Sequence, residues 1–190
     1  KVIIVKRGDA FGKMDNGVYT VNPRKSSDYD ALLHDLQAGN SIPDKIIHLW
    51  NVTKDNDSVL DAESFEDAQY LGFFSLLYMA KAIGRKNISK DIDVTLLTNH
   101  VQEVVGGEPL SPEKATVLGV LKAIPQEFLG IRCRTIDIEL QKSRSSKERE
   151  LIDGLLEEFD GGTHRDDQPG ADQQRQDHQD GAHLAAGKVL

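Results

Sequence analysis

The sequence predicts an α/β fold of three layers, in which a mostly parallel sheet carries helices on both faces. Two observations lead to this class. Short apolar runs rich in Val and Ile recur along the chain. Segments with helical periodicity, each with its own start and stop signals, separate these runs. Strands that alternate with helices in this way form parallel sheets, because each helix packs back onto a face of the sheet.

The first part of the chain contains two predicted strands and a helix. Residues 2–5 (VIIV) form a continuous apolar run, which is typical of a strand covered on both faces. A short strand is predicted at 18–21, after an Asp-Asn-Gly turn signal. Ser27 or Asp28 is predicted to cap the helix that follows, because a short side-chain oxygen can accept a hydrogen bond from a free amide of the first turn.

The middle of the chain contains a strand, a long helix and a second buried strand. The strands are predicted at residues 46–52 and 93–98, where β-branched and apolar residues dominate. Ser64 is predicted to cap the helix between them, which ends near Gly84.

This long helix is apolar nearly all round. Between Leu71 and Ile83 only Ser75 and Lys81 are clearly polar. A helix with one face on a sheet and the other in water would show a polar stripe. We therefore predict that one face packs on the sheet and the other contacts a partner. The alternative, in which its own domain buries the helix on all sides, stays open.

The last predicted helix starts at Pro112, where the missing amide costs no hydrogen bond, and a strand follows at residues 131–140. Cys133 lies inside this strand and is the single cysteine of the chain. An internal disulfide is therefore excluded, and we expect a small core residue in a reducing compartment.

Composition and charge limit the kinds of partner that this chain can bind. The net charge is -8, the isoelectric point is near 5.2, and no basic run is interleaved with aromatic residues, so a nucleic-acid partner is not expected. No apolar run approaches the ~20 residues that cross a bilayer. The histidines show no metal-ligand spacing. We expect a cytoplasmic protein that binds neither nucleic acid, membrane nor metal.

The most specific pattern lies between residues 110 and 138. Lys114 lies in the first turn of the predicted helix, Gly119 follows five positions later, Glu127 lies near the helix end, and residues 131–132 (Ile-Arg) open the next strand. This spacing resembles the helix of the short-chain dehydrogenase/reductase superfamily that begins Tyr-x-x-x-Lys. Leu110 stands where that family has its catalytic tyrosine.

The combination resembles, more closely, the structural, non-catalytic subdomain of the ketoreductases of modular polyketide synthases, a truncated Rossmann-like fold. The resemblance covers residues 1–158. Further segments share the pattern of this family: residues 2–5 with Gly8 and Phe11, 19–23, 28–29, 43–50 and 106–113.

The resemblance implies a bracing function. In that family the structural subdomain supports a catalytic subdomain, which reduces a carrier-bound β-ketoacyl chain with NADPH. The implied partners are the catalytic ketoreductase subdomain and other polyketide synthase domains, including the acyl carrier protein. The alternative is a stand-alone oxidoreductase of the short-chain type with an unusual acid.

Cofactor binding by this chain is not expected. A Rossmann fold holds the pyrophosphate on a glycine-rich turn between a strand and a helix N-terminus. No G-x-G-x-x-G or related pattern follows a strand in this sequence, and Gly106 and Gly107 are interpreted as a loop. We therefore place NADPH in the adjacent catalytic subdomain.

The resemblance also assigns the degenerate catalytic positions. Thr98, Leu110 and Lys114 occupy the places of the catalytic serine, tyrosine and lysine. A leucine has no proton to deliver to a carbonyl. The hydroxyl of Thr98 would have no acid to assist, and Lys114 is expected to be a solvated residue at the helix start. No catalytic, cofactor-binding or metal-binding residue is assigned, so the chain is not expected to be an enzyme on its own.

In reductases of this superfamily the two helices described above make the subunit interface, and by resemblance they would face the catalytic subdomain here. The predicted interface residues are Leu71, Phe74, Tyr78, Val117, Leu118 and Leu121. Gly72 and Gly119 would let a partner helix approach closely. In the isolated fragment the same apolar patch is expected to cause self-association.

Two regions are predicted along the chain. Residues 1–158 form the structural subdomain, which lacks the first strand of the family and is in that sense truncated at its N-terminus. Residues 159–190 form a polar, disordered tail that is foreign to the family. Residues 161–190 contain no aromatic residue and no hydrophobic period, so they cannot bury enough apolar surface to fold.

Overall fold

A computed structural model describes residues 1–54, 61–86, 88, 90–103, 106–107 and 109–161 of the 190-residue chain. The described residues fall into two compact units, one of residues 1–137 and one that begins at Ile138. The predicted boundary between residues 158 and 159 lies inside a helix of the second unit. The predicted tail lies, from residue 162 onward, outside the described residues.

The first strands form a small mixed sheet. Strands β1 (Ile4–Arg7), β2 (Gly12–Lys13) and β3 (Val18–Val21) are arranged in the order β1-β3-β2, with β1 parallel and β2 antiparallel to β3. Strand β1 starts two residues later than predicted, and Ile4 is largely exposed. Three of the four residues of β1 are exposed, so this edge strand is not covered on both faces as the apolar run had indicated.

Helix α1 (Ser26–Ala38) packs on this sheet with an apolar face that contains Tyr29, Leu32, Leu33 and Leu36. The predicted cap is wrong. Lys25 precedes the helix without a side-chain cap, and the carboxylate of Asp28 instead accepts a hydrogen bond from the amide of Asn22 at 2.9 Å. Asp28 thus fixes the chain that enters the helix.

The central strands form a second, fully parallel sheet. Its order is β4 (Lys45–Asn51), β5 (Ile92–Thr98) and β6 (Ile131–Asp137). The bounds of β4 and β5 differ from the prediction by one residue or less at each end. The predicted α/β class and the parallel pairing are therefore confirmed, although the described strands form two three-stranded sheets.

The long helix consists of three parts. Helix α2 (Ala62–Gln69) continues through a π-helical turn (Tyr70–Phe74) into helix α3 (Ser75–Arg85). Asp61, not Ser64, is the N-cap: its carboxylate accepts from the amide of Ser64 at 2.8 Å, and its own amide donates to the hydroxyl of Ser64 at 3.0 Å. This reciprocal pair satisfies two amides at the helix start and begins the helix earlier than predicted.

Helix α4 (Val117–Glu127) follows a 3-10 turn (Pro112–Lys114), so Pro112 starts the turn and not the α-helix. Helices α3 and α4 bury Leu76 and Ile124 in the same core as the apolar residues of β5. Cys133 packs against this core, and its burial raises the pKa of the thiol to about 12. The thiol therefore stays protonated at neutral pH, as expected for a structural cysteine.

The second unit contains helix α5 (Ser146–Gly161). The hydroxyl of Ser145 accepts from the amide of Glu148 at 3.1 Å, and the carboxylate of Glu148 accepts from the amide of Arg144. These two bonds satisfy amides at the helix start. None of the helices in the described ranges is both long and apolar enough to span a membrane.

Candidate functional site

Five buried polar residues gather at the carboxyl end of the parallel sheet. Asn51 and Asp137 end β4 and β6, Thr98 ends β5 and is followed by Asn99, and Lys114 ends the 3-10 turn. We call this group the carboxyl-end cluster. Open parallel sheets bind their ligands beyond this edge, so the cluster is the first place to look for function.

Thr98 and Asp137 are directly paired across β5 and β6. The hydroxyl of Thr98 donates to Oδ1 of Asp137 at 2.5 Å. Oδ2 of Asp137 accepts from the amides of Val101 and Gln102 at 3.1 and 2.9 Å. The Thr98 hydroxyl is thus bonded inside the domain, and Asp137 fixes the chain that leaves β5.

Lys114 is buried, with 4% of its surface exposed. Its Nζ donates to the backbone oxygen of Asn99 at 3.1 Å and to Oδ1 of Asn99 at 2.7 Å. The prediction of a solvated lysine is therefore wrong. A buried ammonium group is tolerated because oxygen acceptors replace the water that it loses.

Leu110 is not buried with this cluster and remains 49% exposed. The segment around it is attached to His100: the amide of Ser111 donates to the His100 oxygen at 2.7 Å, and Nδ1 of His100 lies 3.0 Å from the Pro109 oxygen. The structure therefore places two of the three predicted positions, Thr98 and Lys114, in one cluster and leaves the third at the surface.

Sequence reasoning missed three members of the cluster: Asn51, Asn99 and Asp137. A signal was present. Each of these residues ends a strand of the parallel sheet or directly follows one, and the carboxyl ends of parallel strands meet at one edge. Their hydrogen bonds, however, join residues far apart in the chain, which spacing alone does not reveal.

A second buried polar contact lies under the π-helical turn. The hydroxyl of Ser75 lies 2.8 Å from the backbone oxygen of Leu71 and 3.0 Å from that of Gly72, so its single proton is used by a carbonyl. Nε2 of His48, 2.8 Å from the same hydroxyl, must therefore be the donor to it. Burial lowers the pKa of His48 to about 4, which keeps the ring neutral near pH 7.

Gly72 lies on the inner side of the π-helical turn. A Cβ atom at this position would lie 2.8 Å from Oδ1 of Asn51, which is itself buried. Gly72 therefore allows close approach to β4, and the predicted role in admitting an outside helix is wrong. Gly119 is different, because a Cβ there would meet nothing within 4 Å.

The predicted interface residues divide into two groups. Val117 and Leu121 are buried in the domain core, so their assignment to an outer surface is wrong. Leu71, Phe74, Tyr78 and Leu118 are half-buried. Of these four, Tyr78 and Leu118 also pack against the core.

Three half-buried aromatic residues form a row along the long helix. The ring of Phe74 lies 5.0 Å from that of Tyr70 and 5.9 Å from that of Tyr78. Arg24 covers the Tyr70 ring at 4.4 Å and bonds Glu66 and Asp67 at 2.8 Å each. At the other end the ring of Tyr78 lies 5.7 Å from that of the buried Tyr29, so this aromatic row is held at both ends and remains partly open to solvent.

The part of the chain that the structure describes contains no group of three or more His, Cys, Asp or Glu residues placed to hold a metal ion. Gly106 and Gly107 have positive φ angles of 98° and 81° and lie in a loop, where the sequence had placed them.

Comparisons with known proteins agree with this architecture. The family model for beta-ketoacyl synthase-like, N-terminal domains matches residues 1–158. A structure of the adenylation, ketoreductase and pseudo-Asub domains of a keto acid-selecting NRPS module is 28% identical, with a TM-score of 0.73 over 83% of this chain. An N-terminal ketoreductase from a macrolactin assembly line is 22% identical, with a TM-score of 0.66 over 83% of this chain.

The chain spans only 13% and 31% of those two structures. A short-chain dehydrogenase/reductase from Vibrio parahaemolyticus shares the fold, with a TM-score of 0.52 and 16% identity over 82% of this chain and 73% of that one. No curated protein gives a match. The resemblance to the structural subdomain of modular ketoreductases, stated from the sequence motifs, is confirmed.

Proposed function

The chain belongs to the family of beta-ketoacyl synthase-like, N-terminal domains, and from its likeness to a structure that contains a ketoreductase we propose that it is the non-catalytic structural subdomain that braces the catalytic ketoreductase subdomain of a polyketide synthase. That partner would perform the NADPH-dependent β-ketoacyl reduction on chains carried by the acyl carrier protein. We place the assembly in the cytoplasm.

One observation carries this proposal. At the three positions of the catalytic residues, the chain has an exposed leucine and two buried polar side chains that are bonded inside the domain. Leu110 cannot donate a proton, and the polar atoms of Thr98 and Lys114 are hydrogen-bonded to Asp137 and Asn99. Such a site favours a structural role for this chain over a catalytic one.

The surface proposed for bracing is the half-exposed side of the long helix and α4. Phe74 and Leu71 lie outside the packed core, and Leu118 flanks it. Aromatic side chains on a rigid helix bury large apolar areas on binding and lose little conformational entropy. Without its partner, this surface is expected to cause self-association of the isolated chain.

The first test is complementation. The chain and the catalytic subdomain of the same ketoreductase would be produced as separate polypeptides, and NADPH-dependent reduction of a β-ketoacyl thioester would be measured. Activity is expected to require both. Phe74→Asp and Leu118→Asp should each weaken the association at least about tenfold, since a buried charge replaces an apolar contact.

Ala123→Asp is the matched control. Ala123 is an exposed residue of α4, on the flank of the helix opposite Leu118. The Ala123→Asp variant should bind the catalytic subdomain as tightly as the parent chain does. If Phe74→Asp and Leu118→Asp keep the parent melting temperature and complement just as well, this surface does not carry the bracing contact.

The second test separates bracing from the alternative of a stand-alone oxidoreductase, for which the shared fold with a short-chain dehydrogenase is the supporting observation. Titration of NADPH fluorescence with the 190-residue chain should show no binding in the micromolar range. Leu110→Tyr should show neither binding nor activity, because a tyrosine alone positions no cofactor. A micromolar dissociation constant for the parent chain would contradict the bracing proposal and favour the alternative.

A further inference from the structure

The burial of Lys114 needs an explanation that bracing does not supply. Taking an ammonium group out of water is unfavourable unless oxygen atoms accept its protons. Two hydrogen bonds of Lys114, to the backbone oxygen and to Oδ1, end on Asn99, which is itself fully buried. Asn99, at the end of β5, therefore supplies two of the oxygen acceptors that the lysine needs.

Asn99 in turn holds a third segment of the chain. Its Oδ1 accepts from the amide of Thr53 at 3.0 Å, and its Nδ2 donates to the backbone oxygen of Thr53 at 2.7 Å. Both backbone polar groups of Thr53 are thus bonded to a single side-chain amide.

Lys114 and the backbone of Thr53 together fix the orientation of that amide. An ammonium group can only donate, so the atom of Asn99 closest to Lys114 must be the oxygen. With the oxygen placed there, the amide nitrogen faces the Thr53 carbonyl. The backbone of Thr53 favours the same orientation, and the lysine reinforces it with a second donor to Oδ1.

We propose that Lys114 and Asn99 form an internal bridge that holds residues 52–54, the segment after β4, against the carboxyl end of the sheet. In related reductases this position carries the catalytic lysine. Here the lysine would instead hold the segment after β4 in one conformation. The bridge joins three segments: the turn before α4, the end of β5 and the end of β4. It goes beyond the bracing function and does not depend on a partner.

Amide hydrogen exchange of the 190-residue chain, read by NMR, tests the bridge directly. Lys114→Met keeps the length of the side chain and removes its donors. The Thr53 amide should exchange about tenfold faster or more, because the lost bonds release its acceptor. The Asp93 amide, bonded to the Asp44 oxygen at 2.8 Å at the opposite end of the sheet, should not change.

Lys122→Met is the matched control, because Lys122 is an exposed lysine of α4. It should leave the exchange of Thr53 unaltered. A folded Lys114→Met variant with parent-like exchange at Thr53 would overturn the proposal, as would equal acceleration in both variants.

Two measurements on the parent chain keep the test decisive if Lys114→Met does not fold. Acetylation with an amine-reactive ester should modify Lys122 rapidly and Lys114 only upon unfolding. The Thr53 amide should be protected well beyond an unstructured amide. Modification of Lys114 as fast as Lys122, or an unprotected Thr53 amide, would overturn the bridge.

Discussion

Replacing Asp137 by alanine is expected to cause one of the largest losses of stability of any single change in the chain. The buried carboxylate accepts hydrogen bonds from the hydroxyl of Thr98 and from the amides of Val101 and Gln102. Alanine leaves three donors without their acceptor in a buried site. The free energy of unfolding should fall by about 3 kcal/mol or more, since bonds to a charged group are strong and orphaned buried donors are costly.

Two variants make this expectation specific to the contacts. Asp137→Asn keeps one acceptor oxygen and should lose roughly half as much. Asp93→Ala removes a partly exposed carboxylate of β5 that pairs with Arg132 at 2.6 Å, and it should change stability by about 1 kcal/mol or less. Urea unfolding followed by circular dichroism gives all three values. Equal losses for Asp137→Ala and Asp93→Ala would contradict the role assigned to Asp137.

Acid should destabilise the fold through His48. Its pKa is about 4 in the folded chain, because the ring is buried, and 6.5 when it is unfolded. Between these values the unfolded chain binds a proton that the folded chain does not. The contribution of His48 to the free energy of unfolding is therefore fully present above pH 6.5. It is lost as the pH drops from 6.5 to 4, by about 3 kcal/mol in total if burial acts alone.

His48→Gln isolates this contribution from that of the carboxylates, which also titrate in acid. Glutamine can still donate to the hydroxyl of Ser75 but does not ionise. The difference in unfolding free energy between parent and variant should therefore favour the parent more at pH 7 than at pH 4.5. A difference that stays constant over this range would show that His48 does not titrate on unfolding.

Local patterns were sufficient for most of the secondary structure. Strands β4 and β5 follow from β-branched apolar runs, and α1 follows from its buried leucines, because alternation and helical periodicity are properties of neighbouring residues. The same patterns misplaced both helix caps. The carboxylate of Asp28 accepts from the amide of Asn22 and not from an amide of the helix, and the carboxylate of Asp61 caps the helix that Ser64 was predicted to cap. Asp and Ser have similar N-cap propensities, so local sequence could not choose between them.

The sequence by itself determined the α/β class, the resemblance to the structural subdomain of modular ketoreductases and the absence of a tyrosine at position 110. Only the tertiary structure decided what Lys114 does, because its burial depends on Asn99 and its effect reaches Thr53, two segments that meet only when β4 and β5 pair. The same holds for Val117 and Leu121, which an apolar helix offers equally to a partner or to its own core. Periodicity identifies an apolar face, whereas the packing of distant strands decides what covers it.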